Sequence, residues 1–150
     1  MEEEEVFGSS CRDTPMPIPA FDEYGNLPPG IHSCTIDELV EHFGSGSPER
    51  EVESKELVQF VRWARRAGVI RVIVDGSFVT SKLSPNDVDI VILPGPGYPR
   101  GQPRTGSEER LWPFLHVFVA DDEADLGLWI VQYFGVDRRQ RVKGVMEVVL

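Results

Sequence analysis

The chain has 150 residues, enough for one domain with a buried hydrophobic core. Its 15 lysines and arginines against 25 aspartates and glutamates give a formal net charge of −10, which argues against non-specific binding of nucleic acid. No apolar stretch reaches the length of a membrane span, and four glutamates follow the first methionine, unlike a signal peptide. We therefore expect a cytoplasmic protein without a membrane segment, whose two cysteines are reduced thiols.

Two segments are predicted to lack regular structure. Residues 1–17 combine the glutamate run with prolines, which predicts a mobile acidic tail ahead of a single domain over residues 18–150. Residues 94–110 are rich in proline and glycine and include Arg100 and Arg104. A segment of this length is either a flexible hairpin tip or a flap that grips substrate.

Two helices are expected in the first half of the domain. Thr35 and Glu38 have the spacing of a capping box, which predicts a helix that ends at Phe43. A longer helix is expected over residues 49–67, because apolar side chains recur there at helical spacing and Gly68 follows.

The central motif begins with a strand, predicted over residues 69–74, which are mostly apolar and β-branched. Gly76 and Ser77 then turn the chain into a short helix, and a second strand is expected from Asp87 to residue 93. Because side chains alternate along a strand, Asp87 and Asp89 are expected on one face, close to the Gly76-Ser77 turn.

Two neighbouring carboxylates at the mouth of a buried strand repel each other unless a cation lies between them. Mg²⁺ takes one or two carboxylates and fills its other positions with water and phosphate oxygens, so Asp87 and Asp89 are candidate metal ligands. Gly76 lets a phosphate approach the backbone, and the Ser77 hydroxyl and nearby amides can bind it. The motif therefore predicts a site for a magnesium-bound nucleoside triphosphate. A surface turn followed by a solvated strand end is the alternative.

Gly76-Ser77, followed after nine residues by Asp87-Val88-Asp89, resembles the signature of the nucleotidyltransferase superfamily that includes DNA polymerase beta. The chain is most similar to minimal nucleotidyltransferase-like members, and residues 18–31 look like the start of an uncharacterised subgroup of that kind. The resemblance implies transfer of a nucleoside monophosphate from ATP or another nucleoside triphosphate to an acceptor hydroxyl, with two Mg²⁺ ions. It also suggests an RNA or protein acceptor, because related members often belong to toxin–antitoxin or defence pairs.

The resemblance further implies a third carboxylate on the strand beside Asp87 and Asp89, where it would help to bind metal and accept a proton. A third strand is predicted over residues 111–120, and its best register puts His116 at that place. Histidine can bind a metal or act as a base near neutral pH, although it favours softer ions than Mg²⁺. Asp121 and Asp122 could serve only in a shifted register, and only Asp122 shares a strand face with His116.

The C-terminal part is predicted to contain a helix over residues 123–134, with an apolar side formed by Leu126, Trp129, Ile130 and Tyr133. A final strand is expected over residues 145–150. Before it lies the densest basic cluster of the chain, formed by Arg138, Arg139, Arg141 and Lys143. This cluster could hold phosphates or an RNA backbone, or it could only solubilise a turn. Lys143 borders the expected cleft and is therefore the candidate nucleotide-binding member.

Together these elements predict an α+β domain with a small mixed β-sheet, helices largely on one face and a cleft at the other. The leading hypothesis is a magnesium-dependent nucleotidyltransferase, whose acceptor site could come from a second subunit of a homo-oligomer or from a partner protein. A catalytically silent fold of the same kind, acting as a binding module or antitoxin, is the second hypothesis. The third is a small α+β interaction protein in which Asp87 and Asp89 only cap a strand.

Overall fold

The computed structural model describes residues 18–99 and 112–150. The predicted acidic tail with Cys11, and the part of the proline- and glycine-rich segment that holds Arg100 and Arg104, lie outside the described residues. Cys34 is a buried free thiol. Within the two described ranges, no helix is long and apolar enough to cross a membrane.

The described chain forms one mixed five-stranded sheet and three helices. In chain order the elements are β1 (Gly30–Cys34), α1 (Ile36–Phe43), α2 (Pro48–Ala67), β2 (Val69–Asp75), β3 (Asp89–Pro94), β4 (His116–Val119), α3 (Glu123–Leu128) and β5 (Gly144–Val148). The strands lie in the order β1-β5-β2-β3-β4. The pairs β1–β5 and β3–β4 are parallel, whereas β5–β2 and β2–β3 are antiparallel. The prediction of an α+β domain with a small mixed sheet is confirmed.

The first two helices begin and end where local chemistry predicts. At the start of α1, the Thr35 side chain accepts a hydrogen bond from the Glu38 amide, and the Glu38 carboxylate accepts one from the Thr35 amide. Helix α2 begins one residue earlier than expected, because Ser47 caps it and Pro48 suits a first helical position. It ends at Gly68, whose φ of +89° is readily adopted only by glycine.

The sheet buries both of its faces. The face toward α1 and α2 carries the larger core, which includes Val72, Val74, Ile90, Ile92 and Met146. The opposite face packs against α3 and the segment after it, through a smaller cluster that includes Ile73, Val91, Leu93, Leu126 and Phe134. The two longer helices therefore share one face, as expected, and α3 lies on the other. The alternation along β2 and β3 assigns each polar side chain at their ends to one of these faces.

Several strand limits differ from the sequence prediction. Strand β1 was not predicted, because its sequence (GIHSC) has no apolar alternation and its pairing with β5 connects distant parts of the chain. Strand β3 begins at Asp89 rather than Asp87, because Asp89 pairs with Asp75, the last residue of β2. Asp87 therefore lies just ahead of the ladder, beside the turn that follows β2.

The helix predicted over residues 123–134 changes type along its length. It is α-helical over Glu123–Leu128 and continues as a π-helix over Trp129–Phe134. The placement of Tyr133 on the apolar side is wrong, because 63% of its surface is exposed, while Phe134 is buried. A π-helix has i→i+5 hydrogen bonds and therefore a wider turn, which displaces side chains from their α-helical positions.

Candidate functional site

Polar side chains converge where β2 ends and where β3 and β5 begin. Ile73 and Val91 point toward α3, so Asp75 and Asp89, two residues away on the same strands, share that face. A pocket of about 390 Å³ opens here, within the size range of small-molecule sites. Five of the sequence candidates line it together: Gly76, Ser77, Asp87, Asp89 and Lys143.

The turn after β2 is tied directly to the first acid. Gly76 has a φ of +90°, and a Cβ there would lie 2.8 Å from the Asp87 carbonyl oxygen and 3.0 Å from the Asp89 nitrogen. Only glycine therefore allows this turn to lie against the start of β3. The Ser77 hydroxyl donates to Asp87 Oδ1, and the Ser77 amide lies 3.3 Å from the same oxygen. A phosphate bound by Ser77 would compete with this contact.

Asp87 and Asp89 form an interacting pair of partly buried carboxyl groups. Burial raises the pKa of Asp87, but hydrogen bonds from the Ser77 hydroxyl and amide outweigh it, so the pKa lies below its ordinary value. Burial, together with the negative charge of Asp87, raises the pKa of Asp89. Each carboxyl group therefore affects the pKa of the other. A bound cation would relieve the repulsion that otherwise favours protonation of Asp89.

The residues present fit Mg²⁺ as two carboxylate ligands and not as a closed protein cage. Across residues 18–99 and 112–150, no three histidine, cysteine or carboxylate side chains converge closely enough to hold a metal ion. Mg²⁺ does not need such a cage, because water and substrate phosphates supply its remaining oxygens. Asp87 and Asp89 are therefore the side chains that would hold it.

Asp75 is a site residue that the sequence analysis missed. It lies opposite Asp89 in the β2–β3 ladder and forms a buried ion pair with Lys143. Burial raises the pKa of Asp75 to about 7, although the Lys143 ammonium lowers it. Lys143 lines the pocket as expected, but its charge is engaged by Asp75. The sequence signal for Asp75 was its place at the polar end of an apolar strand, directly before Gly76.

The pocket also contains two further cations and an aromatic side chain. Lys82 and Tyr133 were not proposed as site residues, and Arg138 was proposed only as a member of the basic cluster. Lys82 follows the 3-10 turn (Ser77–Val79), and Arg138 belongs to the basic cluster before β5; both line the pocket. The positive charge of Lys82 lowers the pKa of Asp87. Tyr133 lies at the same pocket. Lys82 and Arg138 provide positive charge for a phosphate chain beside the acids.

His116 lies beside the pocket, at the position expected from the strand register. It pairs with Asp89 in the β3–β4 ladder, and its Nδ1 is 3.2 Å from Asp89 Oδ1. Its side chain is 65% exposed. Asp121 and Asp122 follow the far end of β4, where the Asp122 side chain caps α3. The register therefore brings His116, and neither of these acids, to Asp89.

A buried arginine of α2, Arg50, binds the backbone of the loop that carries Ser77 and Lys82. Arg50 is 6% exposed, and its two terminal nitrogens donate hydrogen bonds of 2.6–3.0 Å to the carbonyl oxygens of Phe43, Phe78, Thr80 and Lys82. Burial lowers the pKa of its guanidinium, and the charge of Glu53 partly offsets this. Arg50 lies among charged residues in the first turn of α2, so its sequence context does not indicate this role.

Glu53 lies one turn after Arg50 and is also buried, at 4% exposure. Within the described part of the chain, its Oε1 has no hydrogen-bond partner. Burial raises the pKa of Glu53 to about 7, against the opposing effect of Arg50. The negative charge of Asp87 also raises the pKa of Glu53. The buried residues Arg50 and Glu53 of α2 are therefore electrostatically linked to the site.

Residues 19–149 match the family described as "Family of unknown function (DUF6932)". No curated protein and no solved structure gives a match.

Proposed function

The chain belongs to the family of unknown function DUF6932, and we propose that it is a magnesium-dependent nucleotidyltransferase. In this proposal it transfers a nucleoside monophosphate from ATP or another nucleoside triphosphate to a hydroxyl group of an RNA or protein acceptor. The observation that carries the proposal is that the Gly76-Ser77 turn and the carboxylates of Asp87 and Asp89 line one pocket.

The charges of the pocket match a metal-bound triphosphate. Asp87 and Asp89 would hold Mg²⁺, which supplies positive charge to the phosphate oxygens and helps the pyrophosphate to leave. Lys82 and Arg138, which line the same pocket, would bind the phosphate chain. Lys143 lies in the same pocket, but its charge is paired with Asp75. It would therefore contribute to the site through this ion pair and not as a free cation for the phosphates.

The reaction needs a proton acceptor beside the attacking hydroxyl. The acceptor oxygen would bond to the α-phosphorus, the bond between that phosphorus and the bridging oxygen would break, and pyrophosphate would leave. His116 would take the proton of the hydroxyl, because its ring contacts Asp89 and is open to solvent. The acceptor belongs to the proposal through the resemblance to minimal nucleotidyltransferases, and so does its site on a second subunit or on a toxin–antitoxin partner. A cytoplasmic location belongs to the proposal because the two cysteines are expected to be reduced thiols.

A catalytically silent nucleotide-binding module or antitoxin is the second candidate function. It is favoured by one observation: His116 occupies the position where the resemblance implies a carboxylate. The same pocket would then bind a magnesium-bound nucleotide without transferring it.

Calorimetric titration with the magnesium complexes of ATP, GTP, CTP and UTP, combined with a transfer assay, tests these functions. Labelled nucleoside triphosphates and a cell lysate would be incubated with the wild type, Asp87→Asn and Asp89→Asn, with Asp37→Asn as the control at an exposed aspartate of α1. We expect magnesium-dependent labelling that Asp87→Asn and Asp89→Asn abolish and Asp37→Asn preserves. Binding without labelling would favour the silent module, and failure of the wild type to bind the magnesium complexes of ATP, GTP, CTP and UTP would reject both functions.

A further inference from the structure

An aromatic side chain is presented to solvent at the candidate pocket. Tyr133 lines the pocket together with Lys82 and Arg138, yet it is 63% exposed. Its ring centroid lies 5.1 Å from that of Trp129, at an interplanar angle of 47°. Trp129 therefore supports the ring from within the helix and leaves much of the tyrosine surface open to a ligand.

The π-helix explains why Tyr133 is at the pocket and not in the core. In a continuous α-helix, Tyr133 would follow Trp129 and Ile130 on the apolar side. In the wider turn, Phe134 fills the core position and Tyr133 lies outside it. Such turns occur frequently at functional sites. The exposure of a large aromatic side chain loses the burial that would stabilise the fold, so packing does not account for its position.

The neighbours of Tyr133 indicate the chemistry of a ligand. Lys82 and Arg138 attract an anionic group, and Asp87 and Asp89 attract a divalent cation that such a group can carry. The tyrosine ring offers a flat, partly apolar surface beside them. A molecule that satisfies all three features has a planar ring joined to a metal-binding polyanion.

We propose that Tyr133 is the platform on which the base of the bound nucleotide stacks. The inference rests on the proposed function, and it adds that the ligand is recognised by its base as well as by its phosphates. Stacking uses the π-face that every base has, so Tyr133 supports binding without reading the hydrogen-bonding edge of the base. The larger rings of purines are expected to bind more tightly than those of pyrimidines.

Comparing a ligand that has a base with one that lacks it tests the proposal. Dissociation constants for Mg-ATP and for magnesium tripolyphosphate would be measured with the wild type, Tyr133→Ala and Tyr133→Phe. Val131→Ala is the control, because Val131 is exposed on the same π-helix and does not line this pocket. We expect Tyr133→Ala to weaken Mg-ATP binding roughly 5- to 150-fold and to leave tripolyphosphate binding unchanged. Tyr133→Phe and Val131→Ala should bind both ligands as the wild type does.

Each other outcome overturns the stacking role in a recognisable way. If Tyr133→Ala binds Mg-ATP as tightly as the wild type, the platform is rejected and the proposed function stands. If it loses affinity for both ligands equally, Tyr133 shapes the pocket and does not contact the base. If the wild type binds tripolyphosphate but gains nothing from the base of ATP, the pocket is a polyanion site. If the wild type binds neither of these ligands, nor the magnesium complexes of GTP, CTP and UTP, the proposed function fails and the platform with it.

Discussion

Replacing Arg50 by lysine is expected to loosen the loop that carries Ser77 and Lys82. The guanidinium of Arg50 donates to four carbonyl oxygens, three of them in this loop and one at the end of α1. Lysine keeps the positive charge but has one nitrogen on a flexible stem in place of a planar fork of donors. It cannot reach all four carbonyl oxygens at once, so some lose their partner in a buried place.

The size of the effect follows from the number of bonds lost. A hydrogen bond to a charged group contributes about 1.5–3 kcal/mol, and each buried acceptor left unpaired costs about 1–3 kcal/mol. Since lysine would retain one or two contacts and neighbouring bonds are not additive, we expect Arg50→Lys to lower the free energy of unfolding by about 3–5 kcal/mol. This corresponds to a fall in melting temperature on the order of 10–20 °C.

Urea unfolding would measure this change, with Arg71→Lys as the matched control. Arg71 also makes several charged hydrogen bonds, to Glu147 and Glu123, but it lies on the other face of the sheet and is partly exposed. We expect its replacement to cost only about 1 kcal/mol. Hydrogen exchange should accelerate at residues 78–82 in Arg50→Lys alone, and only that variant should bind Mg-ATP more weakly.

If Arg50→Lys were no less stable than Arg71→Lys and exchange in residues 78–82 were unchanged, the hydrogen bonds of Arg50 would not hold this loop in place. Loss of stability without faster exchange in the loop would show that Arg50 supports the fold as a whole and does not position the site.

Two further variants test the turn and the buried acid beneath it. Gly76→Ala should destabilise the fold by about 2 kcal/mol or more and abolish Mg-ATP binding, because φ is +90° and the new Cβ would meet the Asp87 backbone. Gly127→Ala, in α3 with open space around it, should instead stabilise by about 1 kcal/mol; chemical unfolding of both variants checks this pair, and equal effects would contradict it. The pKa of Glu53 is raised from 4.5 to about 7 in the fold, so the native state holds the extra proton between these values and the free energy of unfolding decreases as pH rises through them. In urea unfolding at pH 5–8, Glu53→Gln should show a smaller decrease of the free energy of unfolding with pH. Glu51→Gln, at an exposed position of the same helix, should show the same decrease as the wild type. If the free energy of unfolding of Glu53→Gln changed with pH in parallel with that of the wild type, Glu53 would not titrate in this range.

The parts of the fold that follow from short-range interactions were predicted well. The capping box of α1, the length of α2 and the buried strands β2 and β3 depend on residues a few positions apart, so local propensity and periodicity identify them. The grouping of the Gly76-Ser77 turn with Asp87 and Asp89 was predictable for the same reason, because only nine residues separate the two parts of the motif.

The contacts that complete the site join distant parts of the chain. Asp75 and Lys143 are 68 residues apart, and Arg50 reaches carbonyl oxygens 28–32 residues away. No periodicity links such positions, because the β2–β5 pairing and the packing of α2 under the loop bring them together. The position of Tyr133 could not be predicted for a different reason. The change from an α- to a π-helix is not visible in the apolar pattern of the sequence.

The sequence by itself therefore determined which residues form the Gly76-Ser77 and Asp87-Val88-Asp89 motif and which strands flank it, because these features depend on neighbouring residues and on backbone geometry that repeats every two or 3.6 residues. Only the tertiary structure decided their partners. It paired Lys143 with Asp75, set His116 beside Asp89, placed Arg50 behind the loop and turned Tyr133 toward the pocket. These choices depend on sheet register and helix packing, which are set by the free energy of the whole core and not by any one segment.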